Sequence, residues 1–105
     1  MYAYIWEYRV RPEADAEFRT EYGPEGGWVA LFRRSPGYLK TELYRDLDDL
    51  HRYVTVDTWE SREAHDEFRR RFAAEFAELD AACEALTLRE VRFGHFSAQG
   101  AKPVR

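Results

Sequence analysis

The chain has 105 residues, of which 45% are hydrophobic and 16% are aromatic. This length fits one domain, and this apolar content is enough to fill a core, so a disordered chain is excluded. The net charge is −4, and the basic residues are scattered along the chain. That pattern argues against nucleic acid and anionic membranes as partners.

The chain contains no apolar run long enough to cross a membrane, and residues 1–10 lack the basic and apolar regions of a signal peptide. We therefore expect a cytoplasmic protein. Cys83 is the single cysteine, so an intrachain disulfide is excluded. We interpret it as a small buried hydrophobic residue.

The first third of the chain predicts a strand followed by two short helices. Aromatic and polar residues alternate over residues 2–10, which is typical of a strand. Pro12 begins a helix that ends at Gly23, because proline favours the first turn and glycine follows the last. Residues 28–34 form a second helical piece, which Ser35-Pro36-Gly37 terminates.

The rest of the chain predicts a hairpin, a long helix and a last strand. Residues 38–45 and 52–59 are β-rich and flank an acidic turn, which favours an antiparallel hairpin. Ser61 is a natural N-cap, and apolar residues spaced by three or four predict one helix over residues 61–86. Residues 87–97 are predicted to form the last strand.

The element order βαββαβ predicts an α+β, ferredoxin-like fold with a four-stranded antiparallel sheet and both helices on one face. Strands one and three are expected side by side and parallel at its centre. We expect one domain over residues 1–97 and a flexible tail at residues 98–105. In the last strand, alternation predicts His95 and Arg92 on opposite faces.

The helices leave the other face of the predicted sheet uncovered. Ile5, Val54 and Val56 are expected on that face. Such a face is too apolar for exposure to water, and the sheet of a second copy is its simplest cover. The sequence therefore predicts a homodimer.

Two segments carry a resemblance to a known family. Ser-Pro-Gly-Tyr opens the second strand, and Val-Asp-Thr-Trp-Glu-Ser-Arg-Glu-Ala stands at residues 56–64. With the Pro-containing start of the first helix, they make residues 1–96 resemble the antibiotic biosynthesis monooxygenase family. The resemblance implies a dimeric α+β barrel.

Members of that family include cofactor-independent oxygenases that turn phenolic polyketide precursors into quinones, haem-degrading enzymes and quinol-oxidising proteins. The resemblance disfavours haem degradation, because the expected His nine residues after the strand Trp is Phe68, and the expected Asn of strand one aligns with Trp6. Quinone-forming members place a Tyr six residues after that Trp, where this chain has His65.

Motifs for other chemistries are missing from the sequence. It contains no phosphate-binding glycine loop, dinucleotide fingerprint, zinc-protease motif or nucleophile elbow. His51, His65 and His95 fall in three separate predicted elements, which does not favour a shared metal site. We therefore expect neither a metal nor an organic cofactor.

The aromatic face of the first strand is the most informative feature, because a plain core strand more often carries aliphatic residues. If the third strand turns its odd-numbered residues to the same side, a cavity with aromatic walls and one carboxylate forms between sheet and helices. Such a cavity suits a planar phenolic ligand. The predicted ligand contacts are Tyr4, Trp6, Tyr8, Tyr53 and Trp59.

Asp57 and His65 are the candidate catalytic residues. A buried Asp57 with a raised pKa would be a general base, although an ion pair with Arg92 or a helix arginine explains it equally well. His65 flanks the apolar stripe of the long helix, where it is either a base at the cavity mouth or a partly exposed surface residue.

Two further features have ordinary interpretations. Trp6 and Trp59 either stack on a ligand or only pack in the core. The run Arg69-Arg70-Arg71 is interpreted as a solvated face.

The sequence thus predicts a small dimeric oxygenase-like protein that binds an aromatic molecule, phenolic or quinol-like, without a cofactor. Two alternatives use the same fold. The first is a non-catalytic dimeric ligand-binding or stress-response module, and the second is a purely structural dimer.

Overall fold

A computed structural model describes residues 1–100 of the chain. The first helix follows a 3₁₀ turn at Pro12–Ala14, and a second such turn, Glu84–Leu86, precedes the last strand. The elements in chain order are β1 (Tyr2–Val10), α1 (Asp15–Tyr22), α2 (Gly27–Phe32), β2 (Tyr38–Arg45), β3 (Arg52–Trp59), α3 (Arg62–Arg71), α4 (Ala73–Cys83) and β4 (Thr87–Ser97).

The four strands form one sheet in the order β2-β3-β1-β4, and every neighbouring pair is antiparallel. The predicted α+β, ferredoxin-like fold with an antiparallel sheet is confirmed. The expectation that β1 and β3 run parallel was wrong. The helical crossover makes β1 and β2 parallel, and the hairpin then reverses the chain, so β3 is antiparallel to both.

The long helix predicted over residues 61–86 is interrupted at one residue. Phe72 leaves the helical region, with φ −111° and ψ 29°, and separates α3 from α4. Its N–H still donates to the carbonyl of Phe68 at 2.9 Å, and Phe76 N–H donates to the Phe72 carbonyl at 2.8 Å. The apolar stripe therefore continues across the break and packs on the sheet.

A β-bulge in β4 changes which of its residues share a face. Ile5 pairs with Gly94, whereas the next residue, Trp6, pairs with Arg92, so Phe93 is the extra residue. The bulge places Arg92 beside Trp6 and His95 beside Tyr4, on the helix-facing side. The prediction that Arg92 and His95 lie on opposite faces was wrong for this reason.

The core lies between the helices and one face of the sheet, and its most buried large side chains are Trp59, Tyr53, Phe18, Phe68 and Val10. Cys83 is buried, as predicted. Among residues 1–100, no helix is long and apolar enough to cross a membrane.

The opposite face of the sheet, here called the outer face, carries apolar side chains without cover from the described part of the chain. Ile5, Val54 and Val56 are half-buried there. Tyr44 and the bulge residue Phe93 are more than half exposed. Of the predicted tail, residues 101–105 lie outside the described residues.

Candidate active site

A cavity of about 270 Å³ lies between the helix-facing side of the sheet and the helices. Period-two alternation turns every second strand residue toward it. β1 and β3 pair residue by residue, so Tyr4 faces Asp57 and Trp6 faces Thr55. The strand residues that line the cavity are Tyr4, Trp6, Tyr8, Thr41, Thr55, Asp57, Trp59 and Glu90.

Tyr53 is the one predicted ligand contact that does not line the cavity. Its ring is 2% exposed and packs 5.0 Å from the ring of Phe18, measured between centroids. Its hydroxyl donates to Oδ1 of Asp15 at 2.6 Å. Tyr53 therefore ties β3 to the start of α1 below the cavity.

The two strand tryptophans that line the cavity, Trp6 and Trp59, differ in how far packing fixes them. Trp59 is only 1% exposed and packs against Phe32 and Phe68. Trp6 is only partly buried, and its ring lies nearly parallel to Tyr4 with centroids 6.0 Å apart. Trp59 is thus a fixed wall of the core, whereas Trp6 presents ring surface to a ligand.

Asp57 is a carboxylate held in the cavity wall by neighbours on β2. Thr41 donates its hydroxyl hydrogen to Asp57 Oδ1 at 2.6 Å, and Tyr38 donates to Thr41 Oγ1 at 2.7 Å. Burial raises the pKa of Asp57 to about 6, and the hydrogen bond from Thr41 partly opposes this rise. This raised pKa brings proton exchange closer to neutral pH, which suits a general base.

The ion pair considered for Asp57 is not formed within residues 1–100. The guanidinium of Arg92 lies 6.0 Å from the centre of the Tyr4 ring instead. Asp57 consequently depends on Thr41, and on no cation, for its position and for the stability of its charge.

His65 is placed by the first turn of α3. Ser61 caps this helix, because its hydroxyl oxygen accepts from the N–H of Ala64 at 3.0 Å. Gly37 lets the helix approach β2 closely, since a Cβ at that position would clash with the Cβ of Ala64. The Ser-Pro-Gly-Tyr and Glu-Ser-Arg segments of the sequence thus position His65 together.

The imidazole of His65 is buried among aromatic rings and lines the cavity. Its centre lies 4.9 Å from that of Tyr4 and 5.5 Å from that of Trp59. Burial lowers the pKa of His65, and Asp66, with Oδ1 3.3 Å from Nδ1, partly opposes the shift. His65 is therefore a neutral imidazole at neutral pH.

A second histidine, His95, lies beside Tyr2 and Tyr4. Tyr2 Oη and His95 Nδ1 are hydrogen-bonded at 2.6 Å, and the Tyr2 ring lies 5.4 Å from that of His65. Strict alternation along β4 missed His95, because only the bulge brings it to this face. It supports Tyr2 and Tyr4 and does not line the cavity.

Helices α1 to α4 cover the cavity with aromatic residues, and three charged residues that sequence reasoning missed also line it: Arg69, Asp80 and, from β4, Glu90. Arg69, in a run interpreted as a solvated face, is exposed and also lines the cavity from α3. Asp80 lines it from α4, one helical turn after Phe76, and meets Glu90 of β4 at the far end. The aromatic residues of this cover are Tyr22, Trp28, Phe32, Phe68 and Phe76.

The arrangement combines aromatic walls, one carboxylate with a pKa near neutrality and one neutral imidazole. Tyr4 lies between the two titratable groups, as register partner of Asp57 and ring neighbour of His65. In the part of the chain that the structure describes, no three His, Cys, Asp or Glu side chains are placed to hold a metal ion. Aromatic walls of this kind suit a flat ring, and a carboxylate with a raised pKa suits proton transfer.

The sequence profile of the family described as "Antibiotic biosynthesis monooxygenase" matches residues 1–82. No curated protein matches the chain in a sequence search.

Solved structures share the fold over nearly the whole chain. A point mutant of SnoaB, a cofactor-independent oxygenase from Streptomyces nogalater, is 27% identical, with a TM-score of 0.75 over 98% of this chain and 97% of that one. Rv0793 from Mycobacterium tuberculosis is 20% identical, with a TM-score of 0.68 over 97% and 98%. PA3566 from Pseudomonas aeruginosa is 18% identical, with a TM-score of 0.67 over 94% of both chains.

Proposed function

This chain belongs to the antibiotic biosynthesis monooxygenase family, and from that premise we propose that it is a cofactor-independent oxygenase acting on a phenolic aromatic molecule. The observation that carries the proposal is the position of Asp57. This carboxylate lies in the wall of an aromatic cavity, and burial raises its pKa to about 6. Similarity to SnoaB, a cofactor-independent oxygenase, supports the same reaction class.

In the proposed mechanism, ionised Asp57 takes the phenolic proton of the bound ligand, written here as the enol form of a ring ketone that carries a CH₂ group. The resulting anion passes one electron to dioxygen, which gives a ligand radical and superoxide. The two radicals combine at the ring carbon, and the proton returns to form a hydroperoxide. Loss of water then leaves a carbonyl, so that CH₂ and O₂ give C=O and H₂O.

The remaining cavity residues hold the ligand in this mechanism. Trp6 offers a partly exposed ring on which a planar ligand stacks, and Tyr4 and Tyr8 continue that surface along β1. Neutral His65 hydrogen-bonds a ring oxygen opposite Asp57, and Trp59 closes the wall between them.

We also propose that the protein acts as a homodimer that pairs through its outer face. Val54, Val56 and Ile5 lie at the middle of this face, and exposed Tyr44 and Phe93 extend it. Apolar side chains on two central strands, without helices above them, are stabilised by burial against a second sheet.

The test measures oxygen consumption and quinone formation with a panel of hydroxyanthrones, corrected for spontaneous oxidation. Wild-type protein is compared with Asp57→Asn, with His65→Gln and with Asp48→Asn, whose carboxylate lies in the exposed hairpin turn. We expect Asp57→Asn to lose about a hundredfold or more in kcat/KM, as for other removed general bases. Asp48→Asn should match wild type.

The outcomes separate the candidate functions. One quinone formed per dioxygen consumed, with loss in Asp57→Asn, supports the proposal. Full activity in Asp57→Asn with loss in His65→Gln overturns the assignment of the base. Binding of the panel without turnover overturns the oxygenase and supports the alternative, a non-catalytic ligand-binding module.

A further inference from the structure

Arg69 is turned toward the cavity, unlike the arginine that follows it. It lies four residues after His65 on α3, hence on the same helix face. Its guanidinium carbon is 3.9 Å from the centre of the Phe76 ring, which fixes the side chain along the cavity cover. Arg70, by contrast, points outward and pairs with Glu67.

The charge of Arg69 is not neutralised by the described part of the chain. No carboxylate of residues 1–100 forms a salt bridge with it, whereas Arg62, Arg70 and Arg34 each have one. The positive charge of Arg69 is one of the causes that lower the pKa of His65. The planar guanidinium of Arg69, with its N–H donors, thus lies at the cavity mouth without an anionic partner among the described residues.

The end of the cavity beside Tyr8 carries the other sign of charge. Asp80 and Glu90 line it beside Tyr8 with exposed side chains, and partial burial, followed by the charge of Asp80, raises the pKa of Glu90. Neither carboxylate forms a salt bridge within residues 1–100. An anionic group is therefore repelled from this end.

We propose that Arg69 binds an acidic substituent of the aromatic ligand, so that the natural substrate is a phenolic ring that also carries a carboxylate. The inference rests on the proposed function, because it assigns a substrate class to the same cavity. A carboxylate matches the guanidinium fork with two parallel hydrogen bonds. Asp80 and Glu90 disfavour the Tyr8 end of the cavity for this substituent, which leaves Arg69 on α3 as its partner.

The experiment uses two probes of nearly equal shape, 2-naphthoate and the uncharged 2-naphthamide, titrated calorimetrically into the full chain at low ionic strength. We expect wild type to bind the naphthoate about threefold to tenfold more tightly, a modest ratio because the guanidinium is partly solvated. Arg69→Gln should bind both probes equally. Arg69→Lys should keep part of the preference for the naphthoate. Arg70→Gln, the matched surface control, should keep all of it.

Each result decides between the proposals. Equal wild-type affinities for the two probes, or a preference that survives in Arg69→Gln, overturn the role of Arg69 and leave the ligand-binding cavity intact. Absence of binding for both probes in wild type contradicts the proposed function itself. Added salt should weaken naphthoate binding more than naphthamide binding, because it screens the exposed cation.

Discussion

Thr41 donates its hydroxyl hydrogen to Oδ1 of Asp57 across 2.6 Å, from the strand position that pairs with Asp57 in the β2-β3 register. This bond favours the ionised carboxylate, whereas burial favours the neutral acid, and burial dominates because the pKa is raised to about 6. The pKa of Asp57 is thus set by two opposing effects, burial and the hydrogen bond from Thr41. Thr41 acts through Asp57 and is therefore a positioning residue.

Thr41→Val should raise the pKa of Asp57 further, because only the opposing hydrogen bond is lost. If Asp57 is the base, the half-maximum of kcat/KM should move to higher pH, which a pH profile of oxygen consumption measures. Thr41→Ser keeps the hydroxyl and should leave the profile in place. An unchanged profile in Thr41→Val, with activity retained, would contradict the role of this hydrogen bond.

Asp57→Asn should stabilise the protein at neutral pH while it removes activity. The folded pKa of about 6 lies above the ordinary value of 3.8, so the folded state holds the proton more tightly than the unfolded chain. The wild type therefore loses stability as the pH rises through this window, by about 2 kcal/mol or more. The Asp57→Asn variant does not lose this stability, because asparagine does not titrate.

Urea denaturation of both proteins at about pH 4 and about pH 7.5 measures this difference, since the other carboxyl groups cancel in the comparison. The excess stability of Asp57→Asn should grow between the two pH values. A constant difference would show that Asp57 titrates normally and would remove the argument for it as the base.

His65 should titrate below its ordinary pKa of 6.5 in the folded protein, because burial among rings disfavours the imidazolium. The folded state then binds this proton less readily than the unfolded chain, and stability falls as the pH drops below 6.5. Imidazole NMR signals followed against pH, in buffer and in urea, give both midpoints. A folded midpoint above the unfolded one would mean that Asp66 dominates over burial.

Much of the fold was predictable because the signals that determine it are local. Alternation over Tyr2–Val10 and the capping residue Ser61 act within a few neighbours, and both are confirmed. The interruption at Phe72 was not predictable, because the apolar spacing stays regular through it. The face of His95 depends on a bulge opposite Ile5, which is a property of two strands and not of one.

The candidate site was predictable only in part for the same reason. Alternation alone placed Tyr4 and Trp6 on one face, Asp57 was expected there only if β3 turned its odd-numbered residues to the same side, and the structure places all three around one cavity. Thr41 required the β2-β3 register, which a sequence-based hairpin leaves open. Arg69 stood in a basic run that is typical of a solvated helix face, so only three-dimensional packing against Phe76 reveals its direction.

The outer face provides the test of the proposed homodimer. Val56 lies at the middle of β3 between Ile5 and Glu42, so Val56→Lys places a charge at the centre of the proposed interface while the monomer tolerates it beside Glu42. Burying an unpaired charge is costly, so we expect a dimer for wild type and a monomer for the variant in sedimentation at micromolar concentration.

Leu47→Lys is the matched control, because Leu47 is 93% exposed in the hairpin turn, away from the sheet surface. It should remain dimeric, and circular dichroism should show the same fold in all three proteins. A wild-type monomer at this concentration, or a Val56→Lys variant that stays dimeric, would contradict pairing through the outer face. In the first case the apolar side chains of that face need another cover, and in the second the interface lies elsewhere.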